Sequence, residues 1–256
     1  MKRHVYAPAK INLCLQVLGK RPDGYHDLAM LMQQVDLCDR IEIELQAGRG
    51  VAVSCPGLEL APDSENIARR AARLLLEHVG VDVAVSISID KKIPAAAGLG
   101  GGSSDAAAVL VTLNKMLSAG LSRSELMSLG VRLGADVPFF IFNRTAWATG
   151  VGERLQAWPG MPPVWLVLVN PGFDVSTAEV FKNLGLTRSE STAKIPKFPV
   201  GTRELVRLMH NDLEAVTCQR YPVINSIKER LVADGACAAL MSGSGSTVFG
   251  VFSGHS

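Results

Sequence analysis

Alternation of apolar and polar positions defines the first elements of the chain. In Val81-Asp82-Val83-Ala84-Val85-Ser86-Ile87-Ser88-Ile89-Asp90 every β-branched residue falls on one parity, which predicts a half-buried strand. Ile41-Glu42-Ile43-Glu44-Leu45 repeats the pattern, and Val51 to Cys55 is expected to return antiparallel beside it after the Gly48/Gly50 turn. The first forty residues read as two or three further strands, interrupted by the turn signal Arg21-Pro22-Asp23-Gly24. The period then changes. Ile67, Ala71, Leu74, Leu75 and Val79 keep helical spacing, with a cap expected at Asp63 or Ser64 and a stop at Gly80. A second helix is predicted from Ser103–Asp105 to Leu117, and a third from Ser122 to Leu133, ended by Gly134.

At Trp158-Pro159-Gly160-Met161-Pro162-Pro163 the composition shifts to a Pro/Gly linker. It predicts a boundary between an N-terminal domain, 1–157, and a smaller C-terminal domain, 164–256. Beyond it, Val164 to Val169 reads as a strand, helices are expected around Ala178, Val206 and Ile224, and Ala236–Met241 and Thr247–Phe252 read as strands. The polar segment Leu186 to Pro199 reads as an exposed loop. Strands first, with helices segregated after them, predict an α+β fold and not a doubly wound sheet.

Composition narrows the function classes. The 256 residues are 48% apolar and 20% charged, ordinary for a globular chain, and the formal net charge of +2 argues against nucleic acid or an anionic membrane as partner. The apolar run Val164–Val169 is far shorter than the roughly 20 residues of a membrane span. Pro8, Lys10 and Asn12 interrupt any signal-peptide core. Five scattered cysteines without a CxxC pair fit reduced thiols, so a cytoplasmic location is expected, and the dispersed histidines offer no metal cluster.

One stretch carries chemistry: Pro94-Ala95-Ala96-Ala97-Gly98-Leu99-Gly100-Gly101-Gly102-Ser103-Ser104-Asp105. A glycine loop opening a helix presents backbone N–H groups without Cβ obstruction, and the helix terminus adds partial positive charge, so phosphate is its natural occupant. No Lys follows the glycines, which excludes a Walker A loop, and Ser103 stands where the dinucleotide fingerprint needs its third glycine. A second loop, Met241-Ser242-Gly243-Ser244-Gly245-Ser246-Thr247, reads either as a flexible hairpin or as a second wall around one polyphosphate.

Three motifs together resemble the GHMP kinase superfamily: Ala7-Pro8-Ala9-Lys10-Ile11-Asn12-Leu13, the glycine loop, and the segment from Met241 to Gly250. The match runs over essentially the whole chain. With Gly19-Lys20-Arg21-Pro22-Asp23-Gly24-Tyr25-His26 and Gly134-Ala135-Asp136-Val137-Pro138-Phe139-Phe140, it is most similar to the branch acting on a cytidine diphosphate-linked methylerythritol. The resemblance implies a two-domain fold with an N-terminal ATP-binding domain and a C-terminal α/β sandwich-like domain, here expected to lack its last helix and strand. It implies ATP as phosphoryl donor, Mg²⁺ as its companion, transfer to a tertiary hydroxyl, and a monomer or homodimer. A homoserine or phosphomevalonate type of kinase, or a silent nucleotide-binding regulator, stands as the alternative.

Residue by residue, the resemblance makes Lys10 and Asp136 the catalytic pair; by spacing alone they read as a solvated lysine and a loop or cap residue. An adjacent ammonium favours the ionised carboxylate. Nucleotide contacts are expected from Pro94 through Ser104, with Lys91, Lys92 and Asn66, the last equally readable as a helix cap. Ser104 or Asp105 is a candidate Mg²⁺ contact, although a carboxylate in a first helical turn also suits the helix dipole. The acceptor is assigned to Asn12, Tyr25, His26, Thr177 and Phe181, with Gly243, Ser244 and Gly245 from the second loop. Tyr25 and Phe181 would sandwich the cytosine, and His26 would meet its pairing edge. Tyr25 and His26 also fit a plain strand pair across the turn.

Overall fold

A computed structural model of the chain describes residues 1–57, 65–159, 161–185 and 201–253. Along the chain run β1 (Lys2–Lys20), β2 (His26–Gln46), β3 (Gly50–Ser54), α1 (Ile67–Val79), β4 (Ala84–Asp90), α2 (Gly101–Met116), α3 (Arg123–Val131) and α4 (Val137–Phe142). They are followed by β5 (Ala146–Gly150), β6 (Arg154–Ala157), β7 (Trp165–Val169), α5 (Thr177–Asn183), α6 (Thr202–Leu208), β8 (His210–Asn211), α7 (Glu214–Arg220), α8 (Val223–Ala233), β9 (Ala238–Met241) and β10 (Val248–Phe252). The described residues form two compact units. One comprises Met1–Lys10, Gln34–Ala95 and Gly100–Asn143, and the other Ile11–Gln33, Ala96–Leu99 and Arg144–Ser256. The long strands β1 and β2 pair with each other and feed both.

In the first unit, β4 pairs antiparallel with β2, matching Ile89 to Ile41, Ile87 to Ile43 and Val85 to Leu45. Buried Ile41, Ile43, Ile87 and Ile89 each gain about 1.5–3 kcal/mol by leaving water. The expected hairpin of Val51–Cys55 with Ile41–Leu45 does not form. β3 lies parallel to β4, with Val51 opposite Val85 and Val53 opposite Ile87, so β4 stands between β2 and β3. A parallel pair needs a crossover, which α1 supplies. Asp63 and Ser64 lie outside the described residues; the helix is capped by Asn66, whose Oδ1 accepts the Ala68 N–H at 2.8 Å, and ends on left-handed Gly80. Ala68, Ala71, Ala72 and Leu75 form its buried face, and α1 packs on α2. α2 starts at Gly101, two residues earlier than its expected start at Ser103. α3 begins on a full Ser122/Glu125 capping box.

In the second unit, Leu28–Met32 of β2 pairs with β5, and β6 extends that ladder. Cys14 and Leu15 of β1 pair parallel with the two residues of β8. A separate sheet has the order β7-β10-β9, all antiparallel, with β10 buried along its whole length and α8 packed against β9 and β10. The strands and helices expected around Val164–Val169, Ala178, Val206, Ile224, Ala236–Met241 and Thr247–Phe252 are present. α4, β5, β6, β8 and α7 are additions that local periodicity did not announce. The segment 186–199, expected as a loop, lies outside the described residues, as does Gly160 of the linker.

Candidate active site

The first unit brings the opening of α2 against Lys10. Gly100, at φ 69°, caps the helix in the left-handed region; a Cβ there would lie 3.0 Å from Phe140 and 3.1 Å from Cγ of Lys10. Only glycine lets the backbone pass this close to the lysine stem. The Ser104 N–H donates to the Gly100 carbonyl at 2.9 Å, closing the first turn and leaving the amides before it without an intrahelical acceptor. Ser104 itself is buried, and its Oγ has no hydrogen-bond partner among the described residues.

Lys10 is 4% exposed, and its Nζ stands 3.8 Å from Oδ2 of Asp136. Burial pulls the lysine below its ordinary pKa, while the aspartate charge works the other way. Asp136 occupies the N-cap position of α4 without using its side chain to cap, and Pro138 in the first turn fixes that start. The carboxylate is half-buried and turned toward the ammonium. Spacing alone allowed a loop or cap residue at Asp136; the helix it opens has six residues, too few to reveal by period.

The other nucleotide candidates divide. Asn66 caps α1. The Lys92 side chain lies on the surface 3.2 Å from Asp90, while its N–H donates to Asp39. Lys91 bonds Asp39 and Asp105. Burial pushes the Asp105 carboxyl up to about 7 against the opposing pull of Lys91, with Asp39 adding to the rise. Ala97 and Leu99 bury their side chains, so they offer main chain only, whereas Ala95 and Ala96 are exposed and Pro94 is half-buried.

Within the second unit the middle of the glycine loop is stitched to the Gly/Ser loop after β9. Ser242 Oγ donates to the Gly98 carbonyl at 2.9 Å, the Thr247 N–H donates to Ala97 at 3.2 Å, and a Cβ on Gly98 would stand 2.0 Å from the Ser242 carbonyl oxygen. Gly243, Ser244 and Gly245 are buried, and Thr177 Oγ1 lies 2.8 Å from Ser244 Oγ. Asn12 is buried on β1; its N–H donates to Ser242 Oγ and its side-chain amide to Met30 sulfur, both at 3.4 Å. His26 stacks on Phe181, centroids 4.9 Å apart and planes 22° off parallel, while Tyr25 is exposed on the turn after Gly24. Burial, then Lys20, lower the His26 pKa, which favours neutral imidazole with one donor and one acceptor nitrogen.

Sequence reasoning missed the residues that hold this second loop. Asn211 Nδ2 donates to the Met241 and Gly243 carbonyls at 2.8 and 2.7 Å, Glu214 accepts the Met241 N–H at 2.7 Å, and Thr217 donates to Ser244 at 3.1 Å. Their partners lie some thirty positions away, so no local spacing could have announced them. No group of three or more His, Cys, Asp or Glu poised to hold a metal ion occurs among the described residues.

Two family models match the chain: "GHMP kinases N terminal domain" over residues 66–144 and "GHMP kinases C terminal" over 201–256. The 4-diphosphocytidyl-2-C-methyl-D-erythritol kinase of Syntrophotalea carbinolica is 58% identical over 247 residues, 96% of this chain and 88% of the relative. The chain belongs to the GHMP kinase family. The kinase of the same name from Geobacter metallireducens is 57% identical to this GHMP kinase over 247 residues, again 96% of this chain and 88% of the relative. A crystal structure of 4-(cytidine 5'-diphospho)-2C-methyl-D-erythritol kinase superposes with a TM-score of 0.80 at 39% identity, covering 99% of this chain and 91% of the other. Homoserine kinase from Cytophaga hutchinsonii reaches a TM-score of 0.71 at 16% identity, covering 98% of this chain and 84% of the other; it shares the fold.

Proposed function

We propose that this GHMP kinase transfers the γ-phosphoryl group of ATP to the tertiary 2-hydroxyl of 4-diphosphocytidyl-2-C-methyl-D-erythritol, a step of the non-mevalonate route to isoprenoid precursors. The observation that carries the reading is the ion pair of Lys10 and Asp136, 3.8 Å apart in one unit with the glycine-capped opening of α2 against the lysine stem. Phosphoryl transfer through a loose transition state asks chiefly for positioning and for charge neutralisation. The open amides of Gly101 to Ser103 supply the donors for phosphate oxygens. Asp136 orients the acceptor hydroxyl and takes its proton late in the reaction, and Lys10 pairs with that carboxylate and offsets charge at the reacting oxygen.

Mg²⁺ fits the chemistry of an ATP-dependent transfer, and Ser104, whose buried Oγ has no hydrogen-bond partner among the described residues, is the residue that would hold it. When bound, the ion neutralises charge on the β- and γ-phosphate oxygens. Tyr25, His26 and Phe181 are assigned to the cytosine, with Asn12, Thr177 and the 243–245 segment toward the rest of the acceptor. The 57–58% identity of the two relatives named above supports this substrate over homoserine or phosphomevalonate. A coupled ADP-release assay tests the reading. ADP should appear with the cytidylylated acceptor and not with homoserine or phosphomevalonate, and Asp136→Asn should lower kcat by ~10²–10⁴ with little change in KM for ATP. ADP release on either rival alcohol alone, or near-wild-type turnover by Asp136→Asn, would overturn it.

A further inference from the structure

The glycine loop leaves the first unit's sheet at Ile93 and rejoins that unit as α2, and one buried carboxylate governs both points. Asp39, on β2, is fully buried. Its Oδ1 accepts the N–H groups of Lys92 at 2.6 Å and Ile93 at 2.9 Å, the last two residues before Pro94. Its Oδ2 accepts from the Lys91 ammonium, which reaches on to Oδ2 of Asp105 at 2.9 Å. Asp105 is the fifth residue of α2. Gly101 makes room for this bridge, since a Cβ there would stand 2.9 Å from Ile93 and 3.2 Å from the Lys91 nitrogen.

We propose that Asp39, Lys91 and Asp105 form a clasp that sets the opening of α2 for the triphosphate, with Asp105 as a positioning residue for ATP. The inference rests on the kinase reading above. Two carboxylates share one ammonium, so Lys91 is committed to the clasp and is not a phosphate ligand. A charge-assisted hydrogen bond in a buried setting is directional and strong enough to fix the first helical turn. The amides that would receive phosphate oxygens belong to the turn that Asp105 anchors, so loosening the tie moves donors without removing any of them.

The test is Asp105→Ala against Asp105→Asn. Alanine leaves the Asp39–Lys91 pair intact, so the protein is expected to fold; asparagine keeps an acceptor for Lys91. Affinity for a non-hydrolysable ATP analogue is measured by calorimetry with Mg²⁺ and again with EDTA, beside KM and kcat for both substrates. Asp105→Ala should weaken analogue binding roughly 10-fold, the loss that one charge-assisted hydrogen bond supports. The weakening should persist in EDTA and leave the acceptor KM within about 2-fold, and Asp105→Asn should recover most of it. Weakening confined to the Mg²⁺ arm would make Asp105 a metal ligand and overturn the clasp. So would unchanged binding, or equal losses for both substrates in step with the folded fraction. Since the affinity measurement needs no acceptor, failure of the kinase assignment shows separately, as absent ADP release by the wild type.

Discussion

Lys10 places an ammonium where water hardly reaches, and the same burial governs its stability cost and its pH behaviour. Its pKa in the fold lies below the ordinary 10.5 because burial disfavours the charged form. The alkaline limb of kcat should therefore fall below the titration range of an exposed lysine, as Asp136 loses its counter-charge. For stability the sign is opposite to that of a lysine whose pKa the fold raises. The penalty is fully present below the folded pKa and is relieved as pH rises from that value toward 10.5. Lys10→Met should accordingly hold or raise Tm while cutting kcat by at least ~10², read by thermal unfolding beside steady-state kinetics. A parallel loss of Tm and kcat would make the ammonium structural. Phe181 is the second residue with a sharp expectation: loss of one stacking face, ~1–3 kcal/mol, should raise the acceptor KM about 5- to 150-fold in Phe181→Ala, with KM for ATP unchanged. Lys10, Asp136 and Phe181 were legible as candidates from motif letters. Asn211, Glu214 and Thr217 were not, because a side chain that bonds a backbone group some thirty residues away leaves no pattern in its own neighbourhood.

Among the elements, glycines of one loop serve different ends. Gly98 has φ +76° and a Cβ position 2.0 Å from a backbone oxygen, which cannot move as a flexible side chain would. Gly98→Ala should lower Tm markedly, with left-handed strain of about 1–3 kcal/mol added to the clash. Gly102 sits within α2, exposed, and a Cβ there would meet Ile67 at an ordinary 3.4 Å. Gly102→Ala should leave Tm unchanged or higher, since alanine favours helix by about 0.5–1 kcal/mol, while weakening ATP binding in a nucleotide titration. Equal loss of Tm in both variants would contradict this division. The sustained period of α1 to α3 was readable from the letters because that signal is local. Of their caps only Ser122 of α3 stands where it was expected: Asn66 caps α1, and α2 opens on Gly100 without a side-chain cap. α4 was not, since six residues span less than two turns. β3 was assigned the wrong neighbour because the same alternating pattern permits either pairing; the crossover through α1 selected β4.

For the whole molecule, ligand linkage gives the broadest check. MgATP at 100 times its Kd should stabilise by about 2.7 kcal/mol, raising Tm by roughly 5–10 °C in a chain of this size. Asp136→Asn should keep that shift, because it alters transfer and not binding; its loss would assign Asp136 to nucleotide affinity. Among the described residues no helix is long and apolar enough to cross a membrane, in keeping with the short apolar runs of the sequence. The sequence by itself determined the glycine-rich loop at a helix start, the helices of sustained period and the family motifs, because each depends on residues close along the chain. Only the tertiary structure decided that β4 separates β2 from β3, that Lys91 bridges two carboxylates, and that Gly98 lies on the Ser242 carbonyl. Those outcomes depend on which distant groups share a buried space, where unpaired charge and overlapping atoms cost most, and linear order does not encode that choice locally.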